Sequence, residues 1–92
     1  MENSVNTHGK LKIDWVRSFF DLPSKAAITD ENGKVVKEIS YDMGIRIEKA
    51  LKTSLDELEV EKIENKFDIK CNATGKMLIL VYTAEEQILK TK

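Results

Sequence analysis

The chain has 92 residues, enough for one hydrophobic core and too few for two. Its 41% hydrophobic and 34% charged residues are those of an ordinary folded domain, which excludes a disordered chain. Fifteen Lys and Arg against sixteen Asp and Glu leave a net charge of −1, so no global basic excess points to nucleic acid or an anionic membrane. A single cysteine, Cys71, excludes an internal disulfide and fits a reducing compartment. No run approaches the roughly eighteen apolar residues of a membrane span, and MENSVNTHGK lacks the apolar segment of a secretory signal. A cytoplasmic location and no membrane partner are therefore expected.

Residues 1–9 are polar and read as a flexible tail ahead of a single α+β domain over 10–92. Leu11 to Phe20 is amphipathic, and Leu11, Trp15 and Phe19 can share one broad face of a short helix. Leu22-Pro23 ends it, because the residue before a proline is pushed out of the α region. Lys25–Thr29 and Lys34–Ile39 then flank Asp30-Glu31-Asn32-Gly33. Asn and Gly tolerate the positive φ of a tight turn, so this stretch reads as a β-hairpin.

The longest helical period runs from Asp42 to Lys62. Met43, Ile47, Ala50, Leu51, Leu55 and Leu58 draw one apolar stripe, and Ser40 or Asp42 can cap its start. Ser54-Leu55-Asp56-Glu57 is also a capping box, which would start a second helix after a break at Thr53. Because the stripe keeps its phase across that point, one continuous helix is expected. Lys66–Cys71 alternates as a half-buried strand. Asn72–Gly75 turns the chain into Met77–Tyr82, whose continuous apolar character suggests a central strand covered on both faces. Residues 83–92 are open to two readings. The box Thr83-Ala84-Glu85-Glu86 favours a helix, and Gln87-Ile88-Leu89 also suits a final strand. The expected fold is α+β: an antiparallel sheet of two hairpins, a long helix packed on it, and a short N-terminal helix.

The usual combinations of catalytic side chains are missing. His8, the only histidine, lies in the polar tail, so no base is placed for a serine or cysteine nucleophile. One cysteine cannot build a thiolate zinc site, and the isolated glycines form no phosphate-cradling loop. No enzymatic activity, cofactor or metal is expected. Alternation with Phe67 and Ile69 makes Cys71 a buried small hydrophobe ahead of a reactive thiol. Trp15, Phe19 and Phe20 are candidates for an exposed patch, although core packing is their expected fate.

The 42–62 stretch splits its charge. Arg46, Glu48, Lys49 and Lys52 sum to +2, and Asp56, Glu57, Glu59 and Glu61 sum to −4. That order opposes the helix dipole. Two copies paired antiparallel across a two-fold axis would set basic halves against acidic ones. Arg46, Lys49, Lys52, Asp56, Glu57 and Glu59 are thus candidates for a homodimer interface, against the plainer reading of a solvated face.

With its AAITDENGKVV hairpin, a helix placed at 42–62, and KFDIKCNATGKMLILV as the next strand pair, the chain resembles the Roadblock/LC7 (profilin-like) domains. The resemblance implies a dimer built on the long helix, whose surface binds a small Ras-like GTPase or a scaffold partner. It implies no catalytic residue. The leading expectation is a non-enzymatic protein-binding and dimerisation module that regulates or scaffolds a partner. One alternative is a small DNA-binding regulator, since ITDENGKVVKEISYDMGI is loosely similar to the AbrB-type hairpin, although the neutral charge argues against nucleic acid. Another is a mobile-element inhibitor of a host protein.

Overall fold

The structure is a computed structural model and describes residues 10–83 and 86–91. The expected tail at 1–9 lies outside the described residues, as do Ala84, Glu85 and Lys92 of the C-terminal segment. Seven antiparallel strands form one sheet: β1 (Leu11–Arg17), β2 (Pro23–Thr29), β3 (Val35–Ser40), β4 (Leu58–Ile63), β5 (Lys66–Cys71), β6 (Met77–Tyr82) and β7 (Gln87–Thr91). Their order is β3-β2-β1-β4-β5-β6-β7. The sheet is two meanders, of three and four strands, set side by side. Helix α1 (Tyr41–Leu51) is the crossover between them. The sheet curls into a half-barrel, and α1 packs against β2, β3 and β6.

This corrects the expected α+β fold in two places. The N-terminal segment is a strand. Leu11, Ile13 and Trp15 alternate with Lys12 and Asp14, and only the first set turns towards the core. The long helix is also absent. Ser40 caps α1, its hydroxyl accepting the Met43 N–H at 3.2 Å, and Met43, Gly44, Ile47 and Leu51 form the buried face. Lys52 then enters the left-handed region (φ 56), and Thr53 N–H reaches back to the Glu48 carbonyl. That closure satisfies a terminal carbonyl and ends the helix. The Ser54 box yields only a single 3-10 turn, Leu55–Glu57, before the chain runs into β4.

The hairpins are built as their turn residues dictate. At Asp30–Gly33 the Asp30 carboxylate accepts the N–H groups of Asn32 and Lys34, each at 2.9 Å, and Gly33 takes φ 83. At the β5–β6 turn Gly75 takes φ 75 and donates to the Cys71 carbonyl. The expected β6 differs in its surroundings. Leu78 and Leu80 are buried on the concave face, while Met77, Ile79 and Val81 on the other face are half-buried. β6 also lies next to the sheet edge.

The C-terminal segment takes its strand reading. Thr83 Oγ1 does accept the Glu86 N–H at 3.2 Å, as a capping residue would, but Leu89 pairs with Leu80 as part of β7. Pairing along β6 and packing of Leu89 on the core outweigh local helix propensity.

The core lies between the concave face and α1. Ile13, Ile28, Ile39, Ile47, Leu51, Leu55, Phe67, Ile69 and Leu80 are the large side chains sealed within it. Cys71 joins this cluster at 3% exposure. The Thr74 hydroxyl, then the Thr74 and Ala73 backbone, hold its thiol below the usual range, against the opposing effects of burial and the Glu57 charge. β3 approaches the far side of the sheet: Gln87 Nε2 of β7 donates to the Glu38 carbonyl at 3.2 Å, and the Lys37 ammonium lies 4.5 Å from the ring centroid of Tyr82 on β6.

Candidate functional sites

Two surface features stand out, and both descend from the strand topology. The first is the tip of the β1–β2 hairpin, Ser18–Leu22. Phe19 is 95% exposed, Phe20 76% and Leu22 62%. The loop is held tightly. Ser18 N–H donates to the Leu22 carbonyl at 2.7 Å, and Asp21 N–H to the Ser18 carbonyl at 2.9 Å. Asp21 takes φ 62, and Arg17 donates to its carbonyl at 3.2 Å. The Phe19 and Phe20 rings meet edge to face, centroids 5.3 Å apart. The apolar side chains are therefore presented on a braced turn.

A helix over 11–20 would have folded Phe19 back towards the core. As a hairpin, β1 spends its inward positions on Ile13 and Trp15, and Phe19 falls in the turn. Trp15 and Phe19 consequently separate. Trp15 packs on the core, its indole N–H donating to Glu48 Oε2 at 3.0 Å and its ring 5.3 Å from that of Tyr41. Of the three exposed-patch candidates, Phe19 and Phe20 are at the surface and Trp15 is structural.

The second feature is an open groove of about 930 Å³ between the C-terminal half of α1, the β5–β6 turn and β7. Leu51, Leu78 and Leu89 supply apolar surface. Arg46, Lys49, Lys76 and Lys90 supply four cations, and among the described residues no carboxylate side chain lines it. Among the described residues none of these four makes an ion pair; the ion pairs formed are Arg17–Asp21 and Lys25–Glu38.

The six dimer-interface candidates do not share one helix. Arg46 and Lys49 lie on α1 beside the groove, and Lys52 is its left-handed terminus. Asp56 and Glu57 belong to the 3-10 turn and Glu59 to β4. Asp56 and Glu59 line a separate cleft of mixed charge with Asp14, Lys12 and Lys70. The antiparallel pairing of continuous helices therefore has no continuous helix to act on. The signal for the groove, basic residues at 46, 49, 76 and 90, was invisible without knowing that β7 returns to α1.

Among the described residues no group of three or more His, Cys, Asp or Glu is placed to hold a metal ion. No helix among them is long and apolar enough to cross a membrane. Fold and surface together define a β-rich half-barrel wrapped on one helix, with an aromatic hairpin tip and a cationic groove. No family model, curated protein or solved structure matches the chain.

Proposed function

We propose that this is a non-enzymatic protein-binding module whose primary contact is the Ser18–Leu22 tip, inserted into an apolar pocket on a partner protein. The observation that supports it is the exposure of Phe19, Phe20 and Leu22 together on a turn that hydrogen bonds hold in one shape. Isolated exposed hydrophobics need no explanation, but adjacent aromatics on a braced loop form a contiguous apolar patch. Each side chain gains about 1.5–3 kcal/mol when fully buried. Little entropy is lost on docking, because the turn is already ordered. Aromatic anchors of this kind are common binding hot spots.

The test replaces Phe20 with a photo-crosslinking phenylalanine analogue in cells of the native source. Discrete protein adducts are expected from position 20 and none from position 34, in the polar hairpin turn. Equal labelling from both positions, or none from position 20, would reject the reading. Phe19→Ser with Phe20→Ser should abolish those contacts. Its unfolding free energy should stay within about 0.5 kcal/mol of the parent, because these rings are in water in the native state too. A larger loss in chemical denaturation would assign the rings to folding instead.

A further inference from the structure

We propose that the groove between α1 and β7 is a second, independent binding site, which takes an extended acidic peptide of a partner protein as an added strand on β7. Three observations carry this. β7 is the last strand of the sheet, so among the described residues its outer edge has no strand partner. Leu89, Lys90 and Thr91 all border the groove. Gly75 to Leu78 line it as well, and Leu78 pairs with Thr91, so the groove lies at the end of β7 where β6 begins. The charge is of one sign: Arg46 and Lys49 stand on the helix wall, with Lys76 and Lys90 on the sheet side.

A strand laid along β7 would take its unpaired N–H and C=O groups, which are an available template for pairing. Apolar side chains on the concave face of that strand would pack beside Leu89. Acidic side chains would meet the four cations, where charge complementarity selects partner and orientation.

Other occupants fit less well. A second copy across a two-fold axis would set like charges against like. Single-stranded nucleic acid lacks an aromatic platform, because no Phe, Tyr or Trp lines the groove. A small apolar anion requires a pocket that encloses most of its surface, and this groove is open along its length.

The test titrates the whole protein with a fluorescent synthetic peptide of about seven residues alternating glutamate with valine, the pattern a strand on a basic edge requires. Saturable binding that weakens as salt rises is expected. Alternate backbone N-methylation of the peptide keeps its charge and side chains but removes main-chain donors. It should weaken binding by at least about tenfold if strand addition carries the site. Lys49→Glu with Lys90→Glu should weaken the parent peptide by at least about tenfold, and Lys12→Glu with Lys70→Glu, on the other cleft, by less than about twofold. Absence of saturable binding, equal affinity of the N-methylated peptide, or equal affinity of an oligothymidine of similar length would overturn the proposal. The methylation comparison uses the unaltered protein, so it decides the matter even if a charge reversal fails to fold. The tip is untouched in all arms, so failure here leaves the hairpin reading intact.

Discussion

Glu48→Ala is expected to lower the unfolding free energy by about 2–4 kcal/mol, as a lower denaturation midpoint with an unchanged denaturant slope. Glu48 is one of the charged residues that the sequence assigns to the solvent face of its helix. In the structure its carboxylate oxygen Oε2 accepts two hydrogen bonds, each at 3.0 Å. One comes from the Trp15 indole N–H on β1, the other from the Leu55 N–H at the start of the 3-10 turn. Its own carbonyl receives the Thr53 N–H. One residue thus ties the end of the helix to the strand beneath it and to the turn after it. Alanine leaves two part-buried donors without an acceptor, and that desolvation cost exceeds the net value of either bond. Glu48→Gln retains an acceptor oxygen and should cost about half as much, since a neutral acceptor makes a weaker bond. If alanine and glutamine cost the same, and less than about 1 kcal/mol, the clamp contributes nothing.

Gly44→Ala separates local propensity from packing. In a helix interior alanine is favoured over glycine by about 1 kcal/mol, so the sequence alone predicts stabilisation. The structure predicts the reverse. A Cβ at Gly44 would lie 2.6 Å from Trp15 Cη2 and 2.9 Å from Cζ3. The indole cannot simply swing aside, because its N–H is held by Glu48 and its ring packs beside Tyr41. A net loss of about 1–3 kcal/mol is expected. Trp15→Leu should restore part of it in the double variant, which a thermodynamic cycle measures. Stabilisation by Gly44→Ala in the parent would show that the ring yields freely.

These two residues also show where sequence reasoning stops. The Asp30–Gly33 hairpin was legible because the turn residues determine their own backbone. So were β5 and β6, from alternation and apolar content. The 42–62 stretch misled because its stripe is real: Leu51, Leu55 and Leu58 are all buried. A 3-10 turn repeats every three residues, so it hands the inward face from helix to strand without a visible change of phase. The counter-signal was Leu58-Glu59-Val60-Glu61, which alternates as a strand does. In Leu11–Arg17 the two periods overlap, and only pairing with β2 settles which one holds. Phe19 was a candidate patch residue whose expected fate was the core, and the hairpin leaves it exposed instead. The groove was not legible, because its cations come from segments that meet only in the folded chain.

The join between the two meanders has a kinetic consequence. Most pairings link strands adjacent in sequence, so their loops are short and close at little entropic cost. The exception is β1 with β4, paired only at Leu11–Val60 and Lys12–Glu59, with β2, β3 and α1 lying between them along the chain. Bringing these together is the one distant closure that the sheet requires, and it is expected to set the folding barrier. Val60→Ala should then slow refolding while leaving the unfolding rate nearly unchanged in a chevron analysis; the opposite partition would place the barrier within a hairpin.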